Sequence, residues 1–323
     1  MTRPRLNNIA FLFPGQGSQY VGMGKELAAR YPVARRTFDE SDSALGYKLS
    51  AMCFEGPEEQ LKLTEITQPA ILTTSVAALG VLREKGINAG FASGHSLGEY
   101  AAHVAAGTIS FPDAVRTVRK RGKYMQEAVP VGTGTMAAIL GVPLAELEKI
   151  CEEAAQGQVC APANINSPDQ IVISGSTEAV RRAAELAKQR GAKRAVMLPV
   201  SAPFHCALMQ PAQDRMAPDL GQLQFHPMEI DVVTNVDATL VKSPEEARDA
   251  LVRQITGTVQ WEKSMRTLIS CGVETFIEVG PGKVLGGLMR WIDPSRTCLN
   301  VEDEASLEKV ASHFSQAETG RAS

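Results

Sequence analysis

The sequence predicts an α/β fold that carries an inserted unit of its own, and three observations predict it. An apolar run, Ile9-Ala10-Phe11-Leu12-Phe13, passes straight into a turn-rich segment, Pro14-Gly15-Gln16-Gly17-Ser18-Gln19. A second glycine-rich turn, Gly94-His95-Ser96-Leu97-Gly98, opens an amphipathic helix. Between residues 135 and 200, strand-like and helix-like patterns alternate in short pieces.

Taken in order, residues 9–13 form the first strand, with the 14–19 turn at its end. The segment Ala89-Gly90-Phe91-Ala92-Ser93 is poor in β-branched residues, so propensity supports a strand before the second turn only weakly. After Ser96, Leu97, Tyr100, Ala101 and Val104 recur at helical spacing, and Gly107 can close that helix. Ser110, with Asp113 three residues on, marks a capped helix over 113–128, and Pro130, Gly132 and Gly134 punctuate a boundary. Residues 135–141 then read as a strand, 143–155 as a helix, 170–174 as a strand, 176–190 as a helix and 194–200 as a strand. With another strand near 158–164 the order is β-α-β-β-α-β, that of a ferredoxin-like unit. Roughly seventy residues is a workable size for an inserted subdomain. The chain returns through Pro203-Phe204-His205 to strand-like segments at 229–234 and 274–279, with helices between them. Ser243-Pro244-Glu245-Glu246 is a capped helix start with proline at the first helical position. Beyond about residue 311 the chain is polar and rich in small residues, a tail expected to be flexible.

Composition narrows the function. A chain of 323 residues holds one large domain, or a large domain with a smaller insert. A formal charge of −3 argues against a nucleic-acid partner, because phosphate neutralisation needs a basic field. No apolar run is seen to approach membrane-spanning length, and residues 9–13 are too few for a signal-peptide core. The expectation is therefore a cytoplasmic protein with no membrane partner. The six cysteines form no C-x-x-C and read as reduced thiols. Five histidines without paired ligand spacing point away from a metal site.

The chemistry centres on Ser96. G-x-S-x-G on a tight strand-to-helix turn pushes a serine hydroxyl into the open, as a nucleophile requires. A base must accompany it. His95 adjoins the serine and points away from its hydroxyl; His103 lies on the following helix among alanines; His226 and His313 have no motif around them. His205 follows the strand-like run 196–200 and a proline-rich bend, placing it at a strand end where active-site side chains of parallel sheets collect. It reads either as the base or as a buried structural histidine. Cys206 is set aside as a nucleophile, because adjacent residues rarely point at one spot. On the 113–128 helix, Ala114, Val118, Arg121 and Met125 share one stripe. A guanidinium there either sits at the rim of the apolar face or clamps a substrate carboxylate.

Five segments occur in order: Phe13-Pro14-Gly15-Gln16-Gly17-Ser18-Gln19, Gly94-His95-Ser96-Leu97-Gly98-Glu99-Tyr100, Arg121-Gly122-Lys123, Pro203-Phe204-His205 and Val279-Gly280-Pro281-Gly282-Lys283. Together they make the chain resemble malonyl-CoA:acyl carrier protein transacylases and the acyltransferase domains of polyketide synthases, from about residue 8 to about 305. The resemblance implies an α/β-hydrolase-like core with a parallel sheet, plus the inserted ferredoxin-like subdomain. The corresponding division is 1–129 and 199–311 for a discontinuous catalytic subdomain, 130–198 for the small one and 312–323 for the tail.

The same resemblance implies roles. Ser96 corresponds to the nucleophile and His205 to its general base; the backbone N–H groups of Gln16 and Leu97 form the oxyanion hole. Arg121 pairs with the malonyl carboxylate, Met125 and Phe204 line the substrate site, and Phe204 crowds the α-carbon against methylmalonyl. The backbone carbonyl of Gln254 orients the base, which suits its place in the last turn of the helix begun at Ser243. The partners implied are malonyl-CoA and acyl carrier protein, the enzyme being a monomer without cofactor or metal. Carrier proteins of this pathway are acidic, so Arg116, Arg119, Lys120 and Lys123, or Arg181, Arg182, Lys188, Arg190, Lys193 and Arg194, read either as a docking surface or as solvated helix faces. Three other readings stand beside this one: a malonyltransferase acting in trans for a polyketide synthase, an acyl-thioester hydrolase of the same fold, and a scaffold without chemistry. Arg121 argues against a general hydrolase, and the intact Ser96 and His205 argue against a scaffold.

Overall fold

The computed structural model describes residues 8–200 and 202–320, with side chains to residue 315. Among the described residues, nine strands build two sheets. β1 (Ile9–Phe13), β2 (Phe91–Gly94), β7 (Asp231–Val233), β8 (Thr275–Val279) and β9 (Thr297–Val301) form a five-stranded sheet in the order β7-β2-β1-β8-β9. Every pairing in it is parallel. β1 and β8 are buried along their whole length, as expected of parallel strands covered on both faces by helices.

The second sheet is antiparallel, in the order β4-β5-β3-β6, and comprises β3 (Gly134–Leu140), β4 (Cys160–Ser167), β5 (Gln170–Ser176) and β6 (Arg194–Met197). Helices Leu144–Ala155 and Thr177–Gln189 connect β3 to β4 and β5 to β6. They bury Leu147, Ile150, Val180 and Ala183 in a core of their own with Ile139, Ile171 and Ile173. One short parallel bridge, Asn164 to Val259, ties this sheet to the larger body.

Three expectations need correcting. The strand read at 194–200 stops at Met197 and is an edge of the antiparallel sheet, so His205 does not stand at the end of a parallel strand. It lies in the returning loop. Secondly, helix Thr64–Glu84 is long and apolar enough to cross a membrane by length and composition. Its 18-residue window is 83% buried inside the fold, against helices Pro32–Leu45 and Phe111–Glu127. It is a core helix, buried on nearly all sides with small polar residues such as Thr67, Thr73 and Ser75 among its apolar ones, which is why no amphipathic stripe announces it. Thirdly, the expected tail is helical from Glu304 to Gly320, and residues 321–323 fall outside the described residues.

Candidate active site

The turn after β2 is a sharp elbow. Ser96 sits at φ 53°, a left-handed conformation that costs a non-glycine residue of order 1–3 kcal/mol. The flanking glycines make the turn possible: a Cβ on Gly94 would lie 2.0 Å from the Gly98 carbonyl, and one on Gly98 would lie 2.2 Å from Phe13 O. Asn235, just past β7, holds the elbow from outside. Its Oδ1 accepts from Ser96 N at 2.7 Å and its Nδ2 donates to Gly94 O at 2.7 Å.

Ser96 Oγ lies 2.7 Å from His205 Nε2, and His205 Nδ1 lies 2.9 Å from the carbonyl oxygen of Gln254. A carbonyl can only accept, so Nδ1 carries the proton and Nε2 presents a bare lone pair to the serine hydroxyl. His205, also in left-handed backbone at φ 59°, is buried. Burial first, then the Arg121 charge, pushes its pKa down to about 3, so the ring is neutral at physiological pH.

Arg121 is 1% exposed, one of the largest fully buried side chains. Its guanidinium donates to Gln68 Oε1 at 2.9 Å, Gln254 Oε1 at 2.8 Å and Ser96 Oγ at 3.1 Å, all neutral oxygens, and its Nε has no partner among the described residues. A buried cation answered only by neutral acceptors is poised for an anion at the serine. The apolar stripe read from the sequence is present: Ala114, Val118 and Met125 are buried beside it.

These groups open on a cavity of about 110 Å³, whose walls include Gln16, Leu97, Met125, Phe204, Met136 and Asn164. Leu97 is the residue before helix Gly98–Ala105, and Gln16 lies in the turn after β1. The backbone N–H groups of both make no hydrogen bond among the described residues, which leaves two donors free at the cavity wall. The cavity thus gathers a serine hydroxyl, a neutral imidazole, two backbone N–H groups without partners among the described residues and a buried cation around one small volume.

Sequence reading missed several residues here. Gln254 contributes its side chain as well as its carbonyl: Nε2 donates to Ser96 O at 2.9 Å and to Glu99 Oε2 at 2.6 Å. Glu99 is fully buried, and burial raises its pKa to about 7. Gln68 and Asn235 carry no local signal beyond their place on a core helix and just past a strand. His95 turns sideways to Asn166 Oδ1 at 2.9 Å, away from the serine. His103 is buried with neither ring nitrogen partnered among the described residues, and its pKa is pushed down to about 4. Cys206 is buried and donates to Pro203 O. Both basic clusters are laced with surface ion pairs, Arg116–Asp113 and Lys120–Asp219 in one, Arg190–Glu146 and Lys193–Asp169 in the other.

Comparison with known proteins agrees with this chemistry. The acyl transferase domain family matches residues 10–316. The malonyl CoA-acyl carrier protein transacylase of Escherichia coli is 51% identical, over 94% of this chain and 98% of its own length. An acyl carrier protein S-malonyltransferase from Vibrio cholerae superposes with a TM-score of 0.92 at 47% identity, covering 94% of this chain and 99% of that one. The malonyl-transacylase PlMCAT, solved with the holo form of the type II PKS acyl-carrier protein AntF, gives a TM-score of 0.93 at 46% identity, covering 95% and 99%.

Proposed function

The chain belongs to the acyl transferase domain family, and from that premise we propose that it moves the malonyl group of malonyl-CoA to the phosphopantetheine thiol of acyl carrier protein, supplying extender units for fatty-acid synthesis. In the first half-reaction His205 Nε2 takes the Ser96 hydroxyl proton as Oγ attacks the thioester carbonyl. The N–H groups of Gln16 and Leu97 hold the oxyanion. Collapse breaks the carbon–sulfur bond, and the imidazolium returns its proton to the departing coenzyme A thiolate. In the second half the carrier thiol gives its proton to His205 and attacks the malonyl-serine ester. The carbon–oxygen bond breaks and Oγ recovers the proton.

The observation that carries this reading is Arg121, a buried cation 3.1 Å from the nucleophile with neutral partners only. Glu99 reaches this cation only by way of the Gln254 amide, and a malonyl carboxylate would pair with it directly. Its arrival also offsets the charge that helps depress His205, so the correct donor makes its own base stronger. An acetyl or longer acyl group gains nothing from that cation. Phe204 and Met125 bound the space for the α-carbon. We read residues 1–129 and 199–311 as one discontinuous subdomain and 130–198 as an inserted one, with the acyl cavity between them. The chemistry asks for no cofactor, and a cytoplasmic monomer suffices for it.

The test is intact-protein mass spectrometry after brief mixing with malonyl-CoA. A malonyl adduct that forms on the wild type, is absent from Ser96→Ala and is discharged by holo acyl carrier protein is the expected result. Release of coenzyme A without adduct, faster than carrier protein is loaded, would make the protein a hydrolase and overturn the reading.

A further inference from the structure

The geometry points to Glu99 as a positioning residue for malonyl recognition: by accepting a hydrogen bond from Gln254 Nε2, it fixes which end of that amide meets Arg121. The inference rests on the malonyl-transfer reading above. Glu99 does not line the acyl cavity, so it acts through its neighbours. Its Oε2 accepts from Gln254 Nε2 at 2.6 Å and from the Asn235 backbone N–H at 3.1 Å.

An amide side chain donates at nitrogen and accepts at oxygen, and the two ends are otherwise alike in shape. Around Gln254 the nitrogen end faces three acceptors, Ser96 O, Glu99 Oε2 and, at 3.4 Å, Asn235 Oδ1, while the oxygen end faces the Arg121 guanidinium at 2.8 Å. Turned over, the amide would set its N–H groups against those of Arg121 and its oxygen against a carbonyl and a carboxylate. Without Glu99, only Ser96 O at 2.9 Å and Asn235 Oδ1 at 3.4 Å hold that choice. Glu99 adds the shortest of the three bonds, at 2.6 Å.

The orientation matters because one Arg121 nitrogen donates to both Gln254 Oε1 and Ser96 Oγ. Held by the first, the guanidinium stays over the second, where a malonyl carboxylate will arrive. Glu99 also steadies Asn235, whose side chain pins the Ser96 elbow. Two roles are thereby separable. Loss of the elbow support would slow every acyl donor, whereas loss of the amide orientation would slow only a donor that uses Arg121.

The experiment compares kcat/KM for malonyl-CoA and acetyl-CoA, with holo acyl carrier protein as acceptor, in wild type, Glu99→Met, Glu99→Gln and Arg121→Ala. Met keeps the length of Glu99 and removes the acceptor; Gln keeps an acceptor oxygen and removes the charge. Glu99→Met is expected to cut the malonyl-to-acetyl ratio by about 10- to 100-fold, and Glu99→Gln to rescue most of that loss. Equal losses on both donors in Glu99→Met would leave Glu99 a support of the elbow and overturn the proposal. A ratio in Glu99→Gln as low as in Glu99→Met would overturn it too, since charge rather than orientation would then be at work. Should Glu99→Met not fold, Gln254→Met removes the amide itself, and its ratio must drop in the same way or the proposal fails. An unchanged ratio in Arg121→Ala is a different outcome: it would remove the malonyl-transfer reading beneath the proposal.

Discussion

Replacing Arg121 with alanine is the sharpest test of the acyl pocket. The Arg121 guanidinium is buried and its three hydrogen bonds all go to neutral oxygens. A malonyl carboxylate entering the cavity would complete a desolvated ion pair, and truncating one partner of such a pair costs about 2–5 kcal/mol. At 1.36 kcal/mol per decade, kcat/KM for malonyl-CoA should fall by roughly thirtyfold to a few thousandfold. The same substitution strips Gln68 and Gln254 of a donor and leaves a cavity, which lowers stability whichever acyl donor is used. The diagnostic quantity is therefore the ratio of malonyl to acetyl transfer, read from competing adducts on Ser96 by mass spectrometry. Acetyl transfer should be spared or improved, because a methyl group gains from the removal of an unpaired charge. A parallel loss of both would mean that Arg121 is structural, and the argument from its neutral hydrogen-bond partners would be wrong.

Three further outcomes are expected. Stability should be greatest on a plateau between about pH 4.5 and 6.5, where two opposed pairs of groups cancel: His103 and His205, at about 4 and 3 in the fold, give stability that is present above pH 6.5 and lost as pH falls toward those values, about 3 kcal/mol for His103 alone. Glu99 and Glu278, raised to about 7, act oppositely, their contribution being full below pH 4.5 and lost as pH rises through 7; urea midpoints that climb from about pH 6.5 to 8.5, or climb as pH falls below about 4.5, would contradict this. Phe204→Ala should raise methylmalonyl relative to malonyl transfer by about 5- to 100-fold, the worth of a methyl-sized fit, and an unchanged ratio would take Phe204 out of the selectivity. If the basic clusters steer the carrier protein, raising salt from 50 to about 300 mM should slow the carrier half-reaction far more than acylation by malonyl-CoA; equal slowing in stopped-flow would end that idea.

What was legible in the chain was what local chemistry dictates. β1 appears residue for residue at 9–13, and Ser110 and Ser243 cap the helices they announce, because an apolar run and a capping side chain need only their near neighbours. β2, Phe91–Gly94, holds no β-branched residue and is a strand because it is sandwiched between β1 and β7, a tertiary decision. Ser96 and Arg121 stand out from their own segments. His205 needed the family motif, since its loop and left-handed backbone leave no periodic trace. The supports were out of reach for a plainer reason. Gln254 and Glu99 are 155 residues apart in the chain, and Asn235 and Gly94 are 141 apart. Only the closed fold brings such pairs together.

His205, the base we propose, takes its bearing from a main-chain carbonyl, that of Gln254, at the C-terminal end of helix Pro244–Arg253. Every residue type carries the same carbonyl, so no codon change at position 254 can delete the third member of the relay, only shift it. Evolution can thus alter the Gln254 side chain, and with it the grip on Arg121, without forfeiting the tautomer of His205. The exposed flank of this arrangement is length rather than identity. An insertion, a deletion or a proline that moved the end of that helix by one residue would rotate the carbonyl off the imidazole and silence the serine with every named active-site side chain still in place.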